Sequence, residues 1–412
     1  MSEQRSTKYM IFLVLFMGLV GQLDVWLSLI ETPAVPRIIL ELGLTPGVND
    51  WIFGLWQGIF GVLVFLVFLI GWFSDSFGRR KGILLLLLVM GVPAGLIILV
   101  PPLSLANPIS FYMFLLLYSI AIMGTTSNLW EVPIAEESPA KRRAYYGSIA
   151  FLVSVIPLSS ILGPIIIDAL GWRWSYGIMF FIMLVLILLL LIMKETGRWT
   201  AVQGSGEKRM GFIQALKQFN RRDLVYVIVA TFVYLTWSLS FKLGTTWGGH
   251  YYENILLMGA QWRTILTVAG LMLPISAIIS GVLLEKVGRR ITLVVGSIGA
   301  IVSFVGLGLT TLPAFFWGIY FFMAMVLAWI YIYVTEIFPT KVRATGVGIA
   351  VMGSRLAYVV APLLSVLLLQ LFPLMDGFWI VAGVIMIVPL LSLLSKPYET
   401  KGQELETIDK EK

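Results

Sequence analysis

In the first long apolar run of the chain, Asp24, Ser28 and Glu31 are spaced i, i+4 and i+7, which sets all three on one face of a helix. Counted from Tyr9, Asp24 lies roughly 22 Å along that helix, deep in a hydrocarbon core of about 30 Å. An ionisable group at such depth is expensive and usually faces a polar interior. Asp24 can load and release a proton there, be neutralised by a fixed partner, or cap a kink near Pro33. Glu31 lies nearer the outer end and either lines the same interior or sits in a solvated mouth. Arg355, in Gly353-Ser-Arg355-Leu-Ala-Tyr358, falls roughly 16 Å into another apolar run that starts near Ala344. A guanidinium keeps its proton, so it needs an anion. That anion is either a carboxylate of the protein (Asp24, Glu31 or Glu131) or one on a substrate. Lys242 shares a helix face with Tyr234, Ser238 and Thr245. It is either a second anion contact or a side chain that reaches outward along its stem. Trp26, Trp329, Tyr333 and Tyr358 supply aromatic surface. Most such residues in apolar helices serve interfacial belts or packing, and one or two can line a site for a flat or ring-shaped molecule.

Other chemistries lack their residues. Cysteine is absent and His250 is the single histidine, which leaves little for thiolate or imidazole metal sites or for histidine acid–base work. No nucleophile–base pair or phosphate cradle is present either. The expectation is therefore no enzyme, no cofactor and no metal. Hydrophobic residues make up 59% of the chain and charged residues 12%, about half the charged share of a soluble globular domain. The net charge of +7 does not point to nucleic acid, because the basic residues lie between apolar runs near 20 residues long, where a membrane protein keeps them. The polar start, Met1 to Lys8, and the length of the first run argue against a cleaved signal peptide.

Twelve spans position these residues: about 9–36, 50–74, 82–101, 110–136, 144–169, 173–194, 223–253, 258–286, 290–311, 313–338, 344–371 and 374–395. Lys and Arg concentrate in alternate loops, which places those loops and both termini in the cytoplasm. The charged loops also repeat. Gly71-Trp-Phe-Ser-Asp75-Ser-Phe-Gly78-Arg79-Arg80 returns as Gly281-Val-Leu-Leu-Glu285-Lys-Val-Gly288-Arg289-Arg290. Glu136-Glu-Ser-Pro139-Ala-Lys141-Arg-Arg143 returns as Glu336-Ile-Phe-Pro339-Thr-Lys341-Val-Arg343, and Glu195-Thr-Gly197 as Glu399-Thr-Lys-Gly402. An even number of spans per half makes the halves parallel repeats. The expected domains are a six-helix bundle over 1–195, a linker over 196–222, a second bundle over 223–402 and a tail over 403–412. Phe212, Ala215, Leu216 and Phe219 give the linker the stripe of a surface-lying amphipathic helix.

These motifs resemble the major facilitator superfamily, with the Glu136, Glu336 and Glu399 stretches similar to its sugar-porter and organic-ion branch. The resemblance covers essentially the whole chain. It implies an all-α membrane protein with twelve transmembrane helices in two parallel-repeat six-helix bundles, working by alternating access. It further implies a cytoplasmic gate of Asp75, Arg79, Glu136, Arg143, Glu195, Glu285, Arg289, Glu336, Arg343 and Glu399, joined by Glu131 near the inner end of the fourth span. The plainer reading is that these charges only fix topology. Asp24 matches the first-span Asp of proton-coupled porters, and Arg355 matches an arginine of organic anion transporters. Two departures count against a sugar. The fifth and seventh spans carry no glutamine, and Leu115–Gly124 has no arginine to pair with Asp24. The expectation is a secondary transporter of a small organic anion with proton symport, embedded in the cell membrane as a functional monomer. A sugar porter and a non-transporting receptor of the same fold are the alternatives.

Overall fold

The computed structural model describes residues 6–125, 127, 129–138, 143–197, 199–200, 219–338, 343–395 and 398–401. Lys141, Arg142, Lys341, the linker stretch with Phe212, Ala215 and Leu216, and the tail 403–412 lie outside the described residues, as do the side chains of Arg143 and Arg343.

Among the described residues the chain is helical and contains no strand. Twelve apolar helical spans succeed one another: α1 (Thr7–Glu41), α2 (Trp51–Phe77), α3 (Arg79–Leu99), α4 (Ile109–Thr125), α5 (Tyr146–Leu170), α6 (Trp172–Leu190), α7 (Arg221–Ile255), α8 (Gln261–Lys286), α9 (Arg289–Thr310), α10 (Pro313–Val334), α11 (Gly346–Leu371) and α12 (Asp376–Ser395). Eleven are long and apolar enough to cross a membrane, and α4 is the short one. Local chemistry sets their ends. Asn220 caps α7 by accepting from the Asp223 amide at 2.7 Å, while Asp223 accepts from the Asn220 amide at 3.2 Å. This reciprocal box satisfies two donors that a helix start otherwise leaves open. Gly78 (φ 111°) and Gly288 (φ 109°) make the sharp turns after α2 and α8, in a region that side chains with a Cβ rarely enter.

Several spans expected to be continuous are broken. The fourth stops at Thr125, whose hydroxyl donates to the Ile122 carbonyl at 2.8 Å, and resumes as a short helix Glu131–Glu137. Hydroxyls that compete for backbone groups at Thr125 and Ser127 account for this break. The fifth breaks after Ser154, just ahead of Pro157, which has no amide hydrogen to give the ladder. The eleventh breaks after Ser354, with no proline until Pro362.

Contacts group the chain into two units, one of Met1–Leu44 with Phe60–Lys208 and one of Thr45–Ile59 with Arg209–Lys412. In the first unit, Gly91 and Gly95 let Met183 and Phe180 of α6 lie directly on α3. In the second, Gly296 and Gly299 do the same for Val326 and Phe322 of α10 against α9. Small residues at such crossings are how helices associate where lipid offers no hydrophobic drive. Two buried indole donors are satisfied by backbone: Trp26 Nε1 donates to the Ser175 carbonyl at 2.9 Å, and Trp237 Nε1 to that of Met323 at 2.7 Å.

Candidate functional site

The repeated charge motifs fold into the same cluster twice, once in each unit. In the first, Arg79 Nη2 donates to Glu136 Oε1 at 2.7 Å and Nε to the same oxygen at 3.0 Å, while Nη1 donates to Asp75. Glu195 accepts the Arg79 amide at 2.8 Å and the Arg80 amide at 3.3 Å, so it caps the start of α3. The Thr196 hydroxyl closes the ring on Glu136 at 2.6 Å. In the second unit, Arg289 Nη2 and Nε reach Glu336 at 2.8 and 3.1 Å, and Glu399 accepts the Arg289 and Arg290 amides at 2.9 and 3.1 Å. Thr400 donates to Glu336. The copies differ at one corner. Glu285 is exposed, and Arg289 Nη1 turns instead to the Leu284 carbonyl at 2.8 Å. Gly78 is tied into its cluster, since a Cβ there would collide with the Glu195 carboxylate.

Deep in the first unit, Asp24 takes two bonds: Ser28 Oγ donates to Oδ1 at 3.4 Å and Trp130 Nε1 to Oδ2 at 3.3 Å. Gly21 makes this possible, because a Cβ there would stand 3.1 Å from the Trp130 ring. The break in the fourth span supplies Trp130 and, next to it, Glu131, whose carboxylate lies close enough to Asp24 for their charges to act on each other. Glu31 is buried at the start of the second half of α1, with Tyr176 beside it. Gln22 is buried too, and neither end of its amide has a hydrogen-bond partner among the described residues. Trp26 faces α6 through its bond to Ser175.

The second unit gathers cations. Lys242 Nζ lies 5.3 Å from the centre of the Tyr358 ring, within reach of the ring's negative face. Arg355 stands one turn before Tyr358 at the break of α11, where its amide bonds the Met352 carbonyl at 3.1 Å and its own carbonyl takes the Tyr358 amide at 3.1 Å. Both cations are buried. Ser238 is buried one turn before Lys242, at the same depth in α7 as Asp24 in α1 counted from Arg221 and Thr7. Trp329 and Tyr333 stack at 4.6 Å, and the Tyr333 hydroxyl donates to the Tyr398 carbonyl at 3.0 Å. The Trp329 indole nitrogen is buried without a partner among the described residues.

The sequence analysis counted Trp130 only among the aromatics of the spans and gave Gln22 no role. It also missed a buried contact between Asp50 and His250, 200 residues apart. Trp130 had a signal, a polar run interrupting an apolar span. The Asp50–His250 contact had none, because one histidine makes no pattern.

A family model described as Major Facilitator Superfamily matches residues 10–332 and 261–412. The chain belongs to the major facilitator superfamily. It is accordingly a multi-pass membrane transporter and not an enzyme. Among similar proteins is YwtG of Bacillus subtilis (strain 168), named for metabolite transport, 24% identical over 83% of this chain and 82% of its own. The citrate-proton symporter of Klebsiella pneumoniae is 25% identical over 68% of this chain and 67% of its own. The xylose transporter XylE from E. coli, solved in an inward-open conformation, superposes with a TM-score of 0.73 at 17% identity, over 98% of this chain and 99% of its own. At that identity the likeness is one of fold.

Proposed function

We propose that this member of the superfamily carries a small organic anion together with a proton by alternating access. The observation that carries the reading is Arg355. The fold repeats the α11 break in α5, and there the equivalent residue is Val155. The break therefore needs no charge. A guanidinium buried in its place, with Lys242 against the neighbouring Tyr358, makes a buried cationic patch suited to a carboxylate. Tyr358 and the Trp329–Tyr333 stack offer flat surface for an aromatic acid. Asp24, held by Ser28 and Trp130 and close to Glu131, is the proton carrier, and Glu31 belongs to the same polar face. The citrate-proton symporter among the relatives supports both halves of the reading.

On this reading 1–195 and 223–402 are the transport bundles, 196–222 is a cytoplasmic linker, and both termini are cytoplasmic in the cell membrane. The Arg79 and Arg289 clusters, with Glu131, Arg143, Glu285 and Arg343, form the cytoplasmic gate, and the functional unit is a monomer. The deciding experiment is binding of labelled carboxylates to purified wild type, Arg355→Lys and Arg355→Ala. Binding lost in Ala and much weakened in Lys supports the reading, and equal binding in all three sinks it. A proton-coupled sugar porter is the second reading. It is favoured by Gln22, a buried amide with both ends open to hydroxyls among the described residues, and by the xylose transporters among the fold neighbours.

A further inference from the structure

We infer that the second unit carries a binding site for one membrane phospholipid, in a hollow between the starts of α8 and α10 that takes the glycerol-ester region and the upper methylenes of an acyl chain. The hollow is about 520 Å³. Gln261, Thr264 and Ile265 form its α8 wall, and Leu312, Ala314 and Trp317 form the wall opposite. Trp317 Nε1 donates to the Ile265 carbonyl at 3.0 Å, so the ring's one polar atom is spent on backbone and its carbon surface lines the hollow. Apolar spaces of this kind stay dry, because water finds too few partners on their walls, and they take hydrocarbon instead.

The hollow exists because α9 turns into α10 through Thr311 and Leu312 alone. Thr311 closes α9 at φ 60°, its amide bonding the Leu307 carbonyl at 3.0 Å, and reverses the chain at once. The first turn of α10 is left uncovered. The corresponding connection of the first unit, 100–108, is longer and tied down: Arg173 donates to the Val100 and Pro101 carbonyls, both at 2.9 Å, and Glu41 accepts the Leu103 amide at 2.8 Å.

The bilayer is what lies over this hollow. Gln261 and Thr264 begin the exposed stripe of α8 that continues through Leu271, Ile275 and Ile278, one helix face made of residues that only lipid would cover. Around the rim Leu257 is 78% exposed, Leu309 69% and Leu312 54%, a display of leucine that belongs in hydrocarbon rather than water. Depth selects the part of the lipid. With 26 residues α8 is about 39 Å long, close to a bilayer with its head-group layers. Gln261, its first residue, is therefore at head-group level, and Ile265 lies about 6 Å below it. That interval is the interfacial layer, where ester groups give way to methylenes. Gln261 and Thr264 supply an amide and a hydroxyl donor to the ester carbonyls, and Ile265, Ala314 and Trp317 meet the chain below. No hydrophobic drive separates one lipid from another here. What holds this one is the contact its flexible chain makes with walls that no neighbouring helix fills. The site is independent of which solute the protein carries.

The probe is a phosphatidylcholine with a diazirine on the upper methylenes of one chain, mixed with unlabelled lipid in nanodiscs that hold the full chain. After irradiation the adducts are mapped by peptide mass spectrometry. Leu371 and Leu374 are exposed at the same end of the unit, where α11 gives way to α12, and report the ordinary lipid belt. Peptides covering 257–268 and 309–318 should carry about fivefold more adduct than those covering 367–375, equivalent to about 1 kcal/mol of preference. Ala314→Phe and Thr264→Phe each set a ring in the hollow, from opposite walls, and should bring the two levels together. Equal labelling in the wild type overturns the proposal, even if neither variant folds. So does enrichment that both folded variants retain. A second copy of the chain seated in the hollow would exclude the probe and give less adduct than the belt, which also overturns it.

Discussion

Arg355 and Val155 hold the same place in the two halves of the chain. Each follows a serine whose hydroxyl turns back to the carbonyl three residues earlier, Ser354 to Val351 and Ser154 to Phe151, both at 2.7 Å. Each also stands where its helix stops. A local backbone device has thus been kept in both copies while its side chain has diverged from apolar to cationic.

Arg355→Val installs the residue that the first half already uses at this break. The expected outcome is a folded protein with a thermal midpoint close to wild type and affinity for the carboxylate substrate about 100-fold lower, the loss expected for a charged hydrogen-bonded contact. Scintillation proximity binding beside a thermal melt reads both. A collapse of stability with unchanged affinity in the surviving protein would make Arg355 a structural residue.

Asp24→Asn keeps the shape of the side chain, with its oxygen accepting from Trp130 and its NH2 turned to the Ser28 hydroxyl as donor, but removes the exchangeable charge. Uphill uptake driven by a pH gradient should vanish while counterflow exchange continues. Loss of both activities would point to binding or structure, and full gradient-driven uptake would exclude Asp24 as the carrier.

Within the first charge cluster the partners of Arg79 are unequal. The Glu136 side chain is 17% exposed and that of Asp75 is 50% exposed. Water screens the second pair, so Asp75→Asn should change stability by less than about 0.5 kcal/mol. Arg79→Ala leaves the half-buried Glu136 with the Thr196 hydroxyl but without its cation, while Glu195 keeps the backbone amides, and should cost about 3 kcal/mol. Unfolding midpoints of the two variants and their double mutant test this ordering, and equal losses would contradict it.

Much of this was legible in the sequence because it lies in short-range pattern. Apolar runs long enough for a bilayer gave the spans, and the fixed offsets of Gly78-Arg79-Arg80, Glu136 and Glu195 from their second copies gave the cluster's members. The breaks were harder to read. Pro157 marks one, but at Thr125 and Ser354 the sign is a hydroxyl turned back to the carbonyl three residues earlier, and such residues also occur inside intact helices. Trp130 reaches Asp24 only because that break turns it and Gly21 leaves room. The contact of Asp50 with His250 was invisible, since its members are far apart in the chain and belong to no repeat. The grouping of Thr45–Ile59 with the second unit, where Gly54 and Gly58 meet Ser365 and Leu363, carries no periodic signal.

Uptake by proteoliposomes is the direct test of symport of an organic anion with a proton. Vesicles with an alkaline interior are offered labelled aromatic and tricarboxylic acids alongside neutral pentoses and hexoses, while a trapped dye follows internal pH. The account predicts accumulation of one of the acids above its outside concentration, acidification that depends on that acid, and loss of both with a protonophore or in Arg355→Val. Gradient-driven accumulation of a neutral sugar with no uptake of any acid, undiminished in Arg355→Val, would contradict it.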